Sequence, residues 1–97
     1  MGEVKLRPDL PYEAQMGLKA IEAEYMRATR KYGPFASAHE GWAVIREELD
    51  ELWDAIKANA ETQELRKEAI QIGAMALRFL TDAAARFAEE GDGRGAE

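Results

Sequence analysis

The stretch SAHEGWAVIREELDELWDAI, residues 37–56, has the pattern of an amphipathic helix. It opens with Ser37 and Glu40 at the spacing of a capping box, in which each side chain binds a free backbone N–H at the start of a helix. Its apolar residues recur at intervals of three and four, so they share one face: Trp42, Ile45, Leu49, Leu52, Trp53 and Ile56. We expect a helix from about Ala38 to Ala58, with this apolar stripe packed in the core.

The segment before this helix is amphipathic as well. It starts after Pro11 and ends at Gly33-Pro34, a pair that stops helices. Its apolar face carries Leu18, Ile21, Tyr25, Ala28 and Tyr32. The sequence therefore predicts a first helix over about residues 12–32.

A third amphipathic segment follows, from about Gln63 to Ala88, with Thr62 as its N-cap. Its broad apolar face carries Leu65, Ile72, Met75, Ala76, Phe79, Leu80, Ala83 and Phe87. The segment also contains small residues that favour a close approach of a neighbouring helix: Ala69, Gly73, Ala74 and Ala76. Only a few residues around Asn59 separate this segment from the second helix, so the two should be antiparallel neighbours.

These segments predict an all-α fold, in which an antiparallel helical hairpin is joined to an N-terminal helix. We expect residues 1–11 to form an extended arm, residues 12–88 the helical domain, and residues 89–97 a disordered acidic tail, because the tail has no apolar periodicity. The broad apolar faces of the first and third helices predict a homodimer or homotetramer that completes four-helix-bundle packing.

The composition limits the classes of function. A chain of 97 residues that is 46% hydrophobic fits one small domain with a marginal core. Its net charge of −6 disfavours binding to nucleic acid and to anionic membranes. Cysteine is absent, so thiolate metal sites are excluded and carboxylates are the expected ligands. With no long apolar run and no signal-peptide pattern, we expect a cytoplasmic protein.

The second helix contains an unusual concentration of acidic residues: Glu47, Glu48, Asp50, Glu51 and Asp54. Like charges at spacings of three and four destabilise a helix by roughly 0.2–0.5 kcal/mol per pair. A helix with a purely solvated face would therefore be more stable if acidic and basic residues alternated on it. On a helical wheel Glu48 borders the apolar stripe, and Glu51 lies next to Glu48 on the side away from the stripe. A bound cation explains this position, and an acidic solvated face is the alternative.

The third helix has a matching arrangement, in which Glu68 lies at the margin of the apolar face and Gln71 follows three residues later. If the two helices pack on their stripes, these margins meet. Glu48, Glu51, Glu68 and Gln71 would then form an oxygen-rich cleft, which suits Mg²⁺, with Mn²⁺ as a substitute. The second motif makes the metal site as good an explanation as the solvated face.

The two motifs, Glu47-Glu48-x-x-Glu51 and Glu68-x-x-Gln71, resemble those of the MazG-like all-α nucleoside triphosphate pyrophosphohydrolases, E-E-x-x-E followed by E-x-x-D. The resemblance extends from about Tyr25 to Phe79 and is greatest to a short MazG-related group with Gln in the last position. It implies Mg²⁺-dependent cleavage of a nucleoside triphosphate to monophosphate and pyrophosphate by an oligomer. It also implies that Glu48, Glu51 and Glu68 ligate the metal and that Glu47 orients or deprotonates the attacking water. Gln71 departs from the pattern, because its amide oxygen can ligate Mg²⁺ but carries no charge.

Two basic residues of the third helix are candidates for binding phosphate. Arg78 lies on the Gln71 side of the helix, and a salt bridge to Asp82 or to the acidic residues of the tail is the alternative role for it. Lys67 adjoins Glu68 and could neutralise either that carboxylate or a phosphate. His39 lies about 180° from Glu48 on the wheel, so we expect it at a surface or subunit contact and not at the metal.

Two further readings remain open from the sequence. Trp42 and Trp53 could stack on a nucleobase, but both fall on the apolar stripe, which favours core packing. The whole chain could also be a catalytically inactive assembly or adaptor module whose acidic face docks on a basic partner. That alternative predicts stability that is indifferent to Mg²⁺ and binding that weakens with salt.

Overall fold

A computed structural model describes residues 7–85, which form three α-helices and no strand in that range. The helices are α1 (Tyr12–Tyr32), α2 (Ala38–Lys57) and α3 (Thr62–Ala85). The predicted all-α class is confirmed. The predicted tail of residues 89–97 and the first six residues of the predicted arm lie outside the described residues.

Local chemistry sets the ends of the helices. Gly33 follows α1 with a φ of 73°, a conformation that favours glycine. At the start of α2, the Ser37 Oγ accepts a hydrogen bond from the Glu40 N–H at 3.1 Å, and the Glu40 carboxylate accepts one from the Ala36 N–H. Asn59 has a φ of 56° in the short connection that follows α2. The Ser37 half of the capping box is therefore present as the sequence predicts, whereas Glu40 binds the N–H of the residue before the N-cap.

Helix α3 packs against both α1 and α2. Gly41 near the start of α2 faces Phe79 near the end of α3, whereas Glu51 further along α2 lies beside Glu68, earlier on α3. The two helices therefore run antiparallel, as expected from their short connection. A Cβ atom added at Gly41 would lie 2.6 Å from the Phe79 ring, so glycine allows this approach.

Helix α1 approaches α3 closely at Gly73, where an added Cβ would lie 2.7 Å from the Ile21 Cδ1. This agrees with the close approach predicted from the small residues of α3. Among the described residues, the buried core consists of Ala28, Phe35, Ala74 and Met75. Partly buried side chains pack around it: Tyr25, Val44, Ile45 and Phe79.

The prediction that the whole α2 stripe lies in the core is wrong for the single chain. Trp42 and Trp53 are 60% and 57% exposed, and Leu49 and Ile56 are exposed as well. The reason is that α3 covers the neighbouring side of α2, where Gly41 is buried. A helical wheel shows which residues share a face, but it does not show how much of that face one small partner helix can cover.

The turn between α1 and α2 is fastened to α3 by two buried polar side chains. The Phe35 N–H donates to the Asp82 Oδ2 at 2.8 Å, and the Arg78 Nη2 donates to the Gly33 carbonyl oxygen at 2.5 Å. The Arg78 guanidinium also stacks on the Phe35 ring, 4.3 Å from its centroid. These contacts hold the turn against α3. Within residues 7–85, no helix is both long enough and apolar enough to cross a bilayer.

Candidate metal centre

Three glutamates from two helices meet beside the α2–α3 interface. Glu48, Glu51 and Glu68 each place a carboxylate oxygen within 4.8 Å of the other two. Glu48 and Glu51 are three residues apart and therefore share a face of α2, while the antiparallel packing brings Glu68 of α3 opposite them. The structure thus brings together three of the four oxygen donors proposed from the sequence.

The three carboxylates differ in burial, since Glu51 is exposed, Glu48 is half-buried and Glu68 is buried. Glu68 is only 7% exposed, and burial raises its pKa to about 7, with further contributions from a hydrogen bond to Glu64 and the charge of Glu51. Burial also raises the pKa of Glu48, and the charges of Glu51 and Glu47 add to that effect. Negative charge is therefore costly here unless a cation compensates it.

The oxygen atoms of the cluster also fit a cation. Glu48 Oε1 is buried and accepts no hydrogen bond from any described residue. Buried polar atoms are normally paired, so an orphaned carboxylate oxygen indicates a missing partner. Three carboxylates without sulfur or imidazole form a hard donor set, which suits Mg²⁺ or Mn²⁺.

Glu48 also lines a cavity of about 420 Å³, so the cluster lies at the edge of that cavity. The residues that line the cavity include oxygen donors, among them Glu47 and Gln71, and the aromatic side chains of Tyr32 and Phe35. This combination can accept a ligand with an anionic, cation-binding end and a flatter, less polar end.

The remaining residues proposed from the sequence differ in whether they line the cavity and in how exposed they are. Glu47 is exposed and Gln71 is half-buried, and both line the cavity. Arg78 lines it too, but its Nη2 is bound to the Gly33 carbonyl and its Nε is buried. Lys67 is largely exposed and pairs with Glu64 at 4.0 Å, outside the residues that line the cavity.

Arg78 has hydrogen-bond partners within the chain, and its role in binding phosphate stays a prediction. It is only 4% exposed, and its bonds reach the Gly33 carbonyl and, from Nη1, the Met75 sulfur at 3.4 Å. The alternative partner, Asp82, instead accepts the Phe35 N–H. Arg78 is therefore part of the cavity lining and also holds the turn at Gly33 against α3.

Sequence reasoning missed two residues of α1 that line the cavity, Glu24 and Arg27. They form a bidentate ion pair, with 2.9 Å between Arg27 Nε and Glu24 Oε1. This pair has the i, i+3 spacing of an ordinary surface ion pair, so nothing in the sequence distinguishes it. Only the packing of α1 on α3 places it beside Gln71.

His39 belongs to a separate feature. It lines an open, mostly apolar hollow with Ala38, Trp42 and Phe79. This placement, away from the carboxylate cluster, agrees with its predicted position on the wheel. Trp42 presents its exposed face in the same hollow.

Comparison of this chain with models of protein families, with curated proteins and with solved structures finds no match in any of the three searches. The geometry of the cluster and cavity and the two acidic motifs are therefore the features that bear on function.

Proposed function

We propose that this chain is a Mg²⁺-dependent nucleotide pyrophosphohydrolase that converts a nucleoside triphosphate to a nucleoside monophosphate and pyrophosphate. One observation carries the proposal: carboxylates of Glu48, Glu51 and Glu68 converge within 4.8 Å at the edge of a cavity. The order of these residues in the two acidic motifs, which resembles that of the MazG-like enzymes, supplies the reaction class.

In this proposal the three converging glutamates hold the cation, and the amide oxygen of Gln71 is available as a neutral ligand. Glu47 is exposed at the cavity, where its carboxylate can accept the proton of an attacking water. The water oxygen bonds to phosphorus at the α–β anhydride, the bridging P–O bond breaks, and pyrophosphate leaves. Mg²⁺, when bound, neutralises the charge of the phosphate oxygens.

The aromatic part of the cavity lining gives the remainder of a nucleotide a surface to occupy. It includes Tyr32, Pro34 and Phe35, and hydrogen bonds from Arg78 and to Asp82 hold the turn that carries them. A turn held in place beside the cavity would help to position the triphosphate for attack, which is the main protein contribution in phosphoryl transfer.

The test is an assay of pyrophosphate release from a panel of nucleoside triphosphates with Mg²⁺ or Mn²⁺. Glu51→Gln and Glu68→Gln should each abolish turnover while the circular dichroism spectrum stays helical. Asp54→Asn is the matched control, because it removes one exposed charge from α2 outside the cluster. A chain that neither turns over a nucleotide nor binds one in a metal-dependent way would contradict the proposal.

The exposed side of α2 supports the proposed homodimer or homotetramer. Its large apolar side chains form a patch that a monomer rarely leaves exposed: Trp42, Leu49, Trp53 and Ile56. Pairing of this face with the same face of a second copy would add helices to the three of one chain and complete four-helix packing.

The same exposed face favours a second candidate function, an inactive assembly or adaptor module. Acidic residues such as Asp50 and Asp54 adjoin the apolar patch and could dock on a basic partner. A thermal-melt series separates the two functions, because a ligand specific for the folded state raises the melting temperature. The pyrophosphohydrolase predicts a rise with Mg²⁺ and nucleotide, while the adaptor predicts none.

A further inference from the structure

The last position of the second motif poses a chemical problem for the proposed cation site. Gln71 offers an amide where a carboxylate would add a negative charge, and charge is a main determinant of affinity for a hard cation. The structure places another carboxylate close to this position. Glu24 of α1 lines the same cavity as Gln71 and Glu48, and its side chain is only 14% exposed.

The surroundings of Glu24 keep it ionised. The Arg27 guanidinium binds both of its oxygens, with 2.9 Å between Nε and Oε1, and thereby lowers the pKa of Glu24. A hydrogen bond from the Gln71 side chain acts in the same direction. Glu24 and Glu48 line the same cavity, so both carboxylates border the space that a cation-bound ligand would occupy.

We infer that Glu24 is a fourth carboxylate of the cation site and supplies from α1 the negative charge that Gln71 does not supply from α3. In this arrangement the Gln71 side-chain amide donates to Glu24 and orients it. The inference rests on the proposed cation site, which is independently supported by the nearly buried Glu68 and by the orphaned oxygen of Glu48.

Arg27 then has a second role as the counter-ion that a phosphate can displace. Its side chain is half-exposed and lines the cavity, so a polyphosphate can reach it. Without a polyphosphate, Arg27 neutralises Glu24 and weakens the attraction of the site for a cation. When Arg27 turns to a phosphate oxygen, Glu24 is released toward the cation, which couples the binding of the two ligands.

This arrangement predicts opposite effects of one substitution on two ligands. Arg27→Gln should bind Mn²⁺ alone more tightly than the unmodified chain, because Glu24 loses its counter-ion. The same variant should bind pyrophosphate with Mn²⁺ more weakly, because a phosphate contact is lost. Arg30→Gln is the control, since Arg30 is an exposed arginine of α1 that is not part of the cavity lining.

The decisive experiment measures Mn²⁺ binding to the full chain by electron paramagnetic resonance, without nucleotide. Glu24→Gln should weaken binding by about 10–100-fold, the range typical of residues that support a metal site. Glu22→Gln, which removes an exposed charge from the same helix, should leave the affinity unchanged. Adding Gln71→Glu to the Glu24→Gln variant should restore most of the affinity, because the charge returns to the site from α3.

The outcomes separate this inference from the proposed function. If Glu24→Gln binds Mn²⁺ as tightly as the unmodified chain while Glu51→Gln does not bind it, the cation site stands and the role of Glu24 is wrong. If Gln71→Glu fails to rescue a helical Glu24→Gln variant, the charge compensation is wrong. If the unmodified chain itself binds no Mn²⁺, the cation site is wrong and the inference fails with it.

Discussion

Glu48 of α2 and Glu68 of α3 bring carboxylate oxygens within 4.8 Å of each other across the interface of two antiparallel helices. Two such groups repel when both are ionised, and burial increases the cost. Burial is the main cause that raises the pKa of each carboxyl, and the charge of Glu51 adds to the effect at both. Negative charge at this pair destabilises the folded state, and a bound cation would relieve that destabilisation.

The stability of the metal-free protein should fall as pH rises through the range set by Glu68. Its pKa in the folded chain is about 7, compared with an ordinary value of 4.5, so the folded state binds the proton more tightly than the unfolded state. The free energy of unfolding therefore decreases between about pH 4.5 and pH 7, by up to about 3 kcal/mol from this group. Urea titrations with EDTA at pH 5, 6, 7 and 8 measure the change.

The variant Glu68→Gln should remove most of this pH dependence and make the metal-free chain more stable at pH 8. Glu22→Gln, at an exposed position of α1, should retain the dependence. Equal slopes of stability against pH for Glu68→Gln and the unmodified chain would show that Glu68 is not the titrating group.

The bond between Asp82 and the Phe35 N–H should matter more for stability than the exposed ion pairs. Asp82→Ala leaves a buried N–H without its acceptor, which costs about 1–3 kcal/mol. Asp54→Ala breaks an exposed pair with Lys57 and should cost less than about 1 kcal/mol. Chemical denaturation of both variants, with Asp82→Asn as a variant that retains an acceptor oxygen, tests the difference. Equal losses for the two alanine variants would contradict the fastening role of Asp82.

Two glycines in helices should respond oppositely to alanine. Gly17→Ala on α1 meets no atom within 4 Å, so the gain in helix propensity should stabilise the chain by about 0.5–1 kcal/mol. Gly41→Ala on α2 would place its Cβ 2.6 Å from the Phe79 ring, and the crowding should cost about 1–3 kcal/mol. Melting temperatures of both variants provide the measurement. Stabilisation by both substitutions would mean that α2 and α3 are not in close contact at Gly41.

The exposed α2 face should control the oligomeric state. Trp53→Glu places a charge in the apolar patch, so an oligomer that uses this face should dissociate to monomers. Leu80→Glu is a matched control, because Leu80 is an equally exposed apolar residue on α3. Light scattering at several concentrations gives the mass of each variant. An oligomer that persists in Trp53→Glu and dissociates in Leu80→Glu would place the interface elsewhere.

The helices could be predicted from the sequence because their ends depend on local chemistry. The Ser37 cap of α2 and the Gly33 stop act within a few residues, and they are where the sequence predicts them. The convergence of Glu48 with Glu68 also follows from local information, since two wheel positions and a short connection suffice to bring the helix margins together.

The rest of the site depends on packing that periodicity does not encode. Glu24 and Arg27 have the spacing of an ordinary i, i+3 ion pair, and only the packing of α1 on α3 places them at the cavity. Trp42 and Trp53 share the α2 stripe with half-buried residues, and only the position of α3 leaves them exposed. Arg78 binds the Gly33 carbonyl, a contact that depends on how the turn packs on α3.

Anomalous diffraction from a crystal soaked with Mn²⁺ and a nucleotide tests the cation site most directly. We predict an anomalous peak at the cluster, with oxygen atoms of Glu48, Glu51 and Glu68 at about 2–2.3 Å from the metal. A peak at an unrelated acidic position, or an ordered nucleotide in the cavity with no metal at these three carboxylates, would contradict the account.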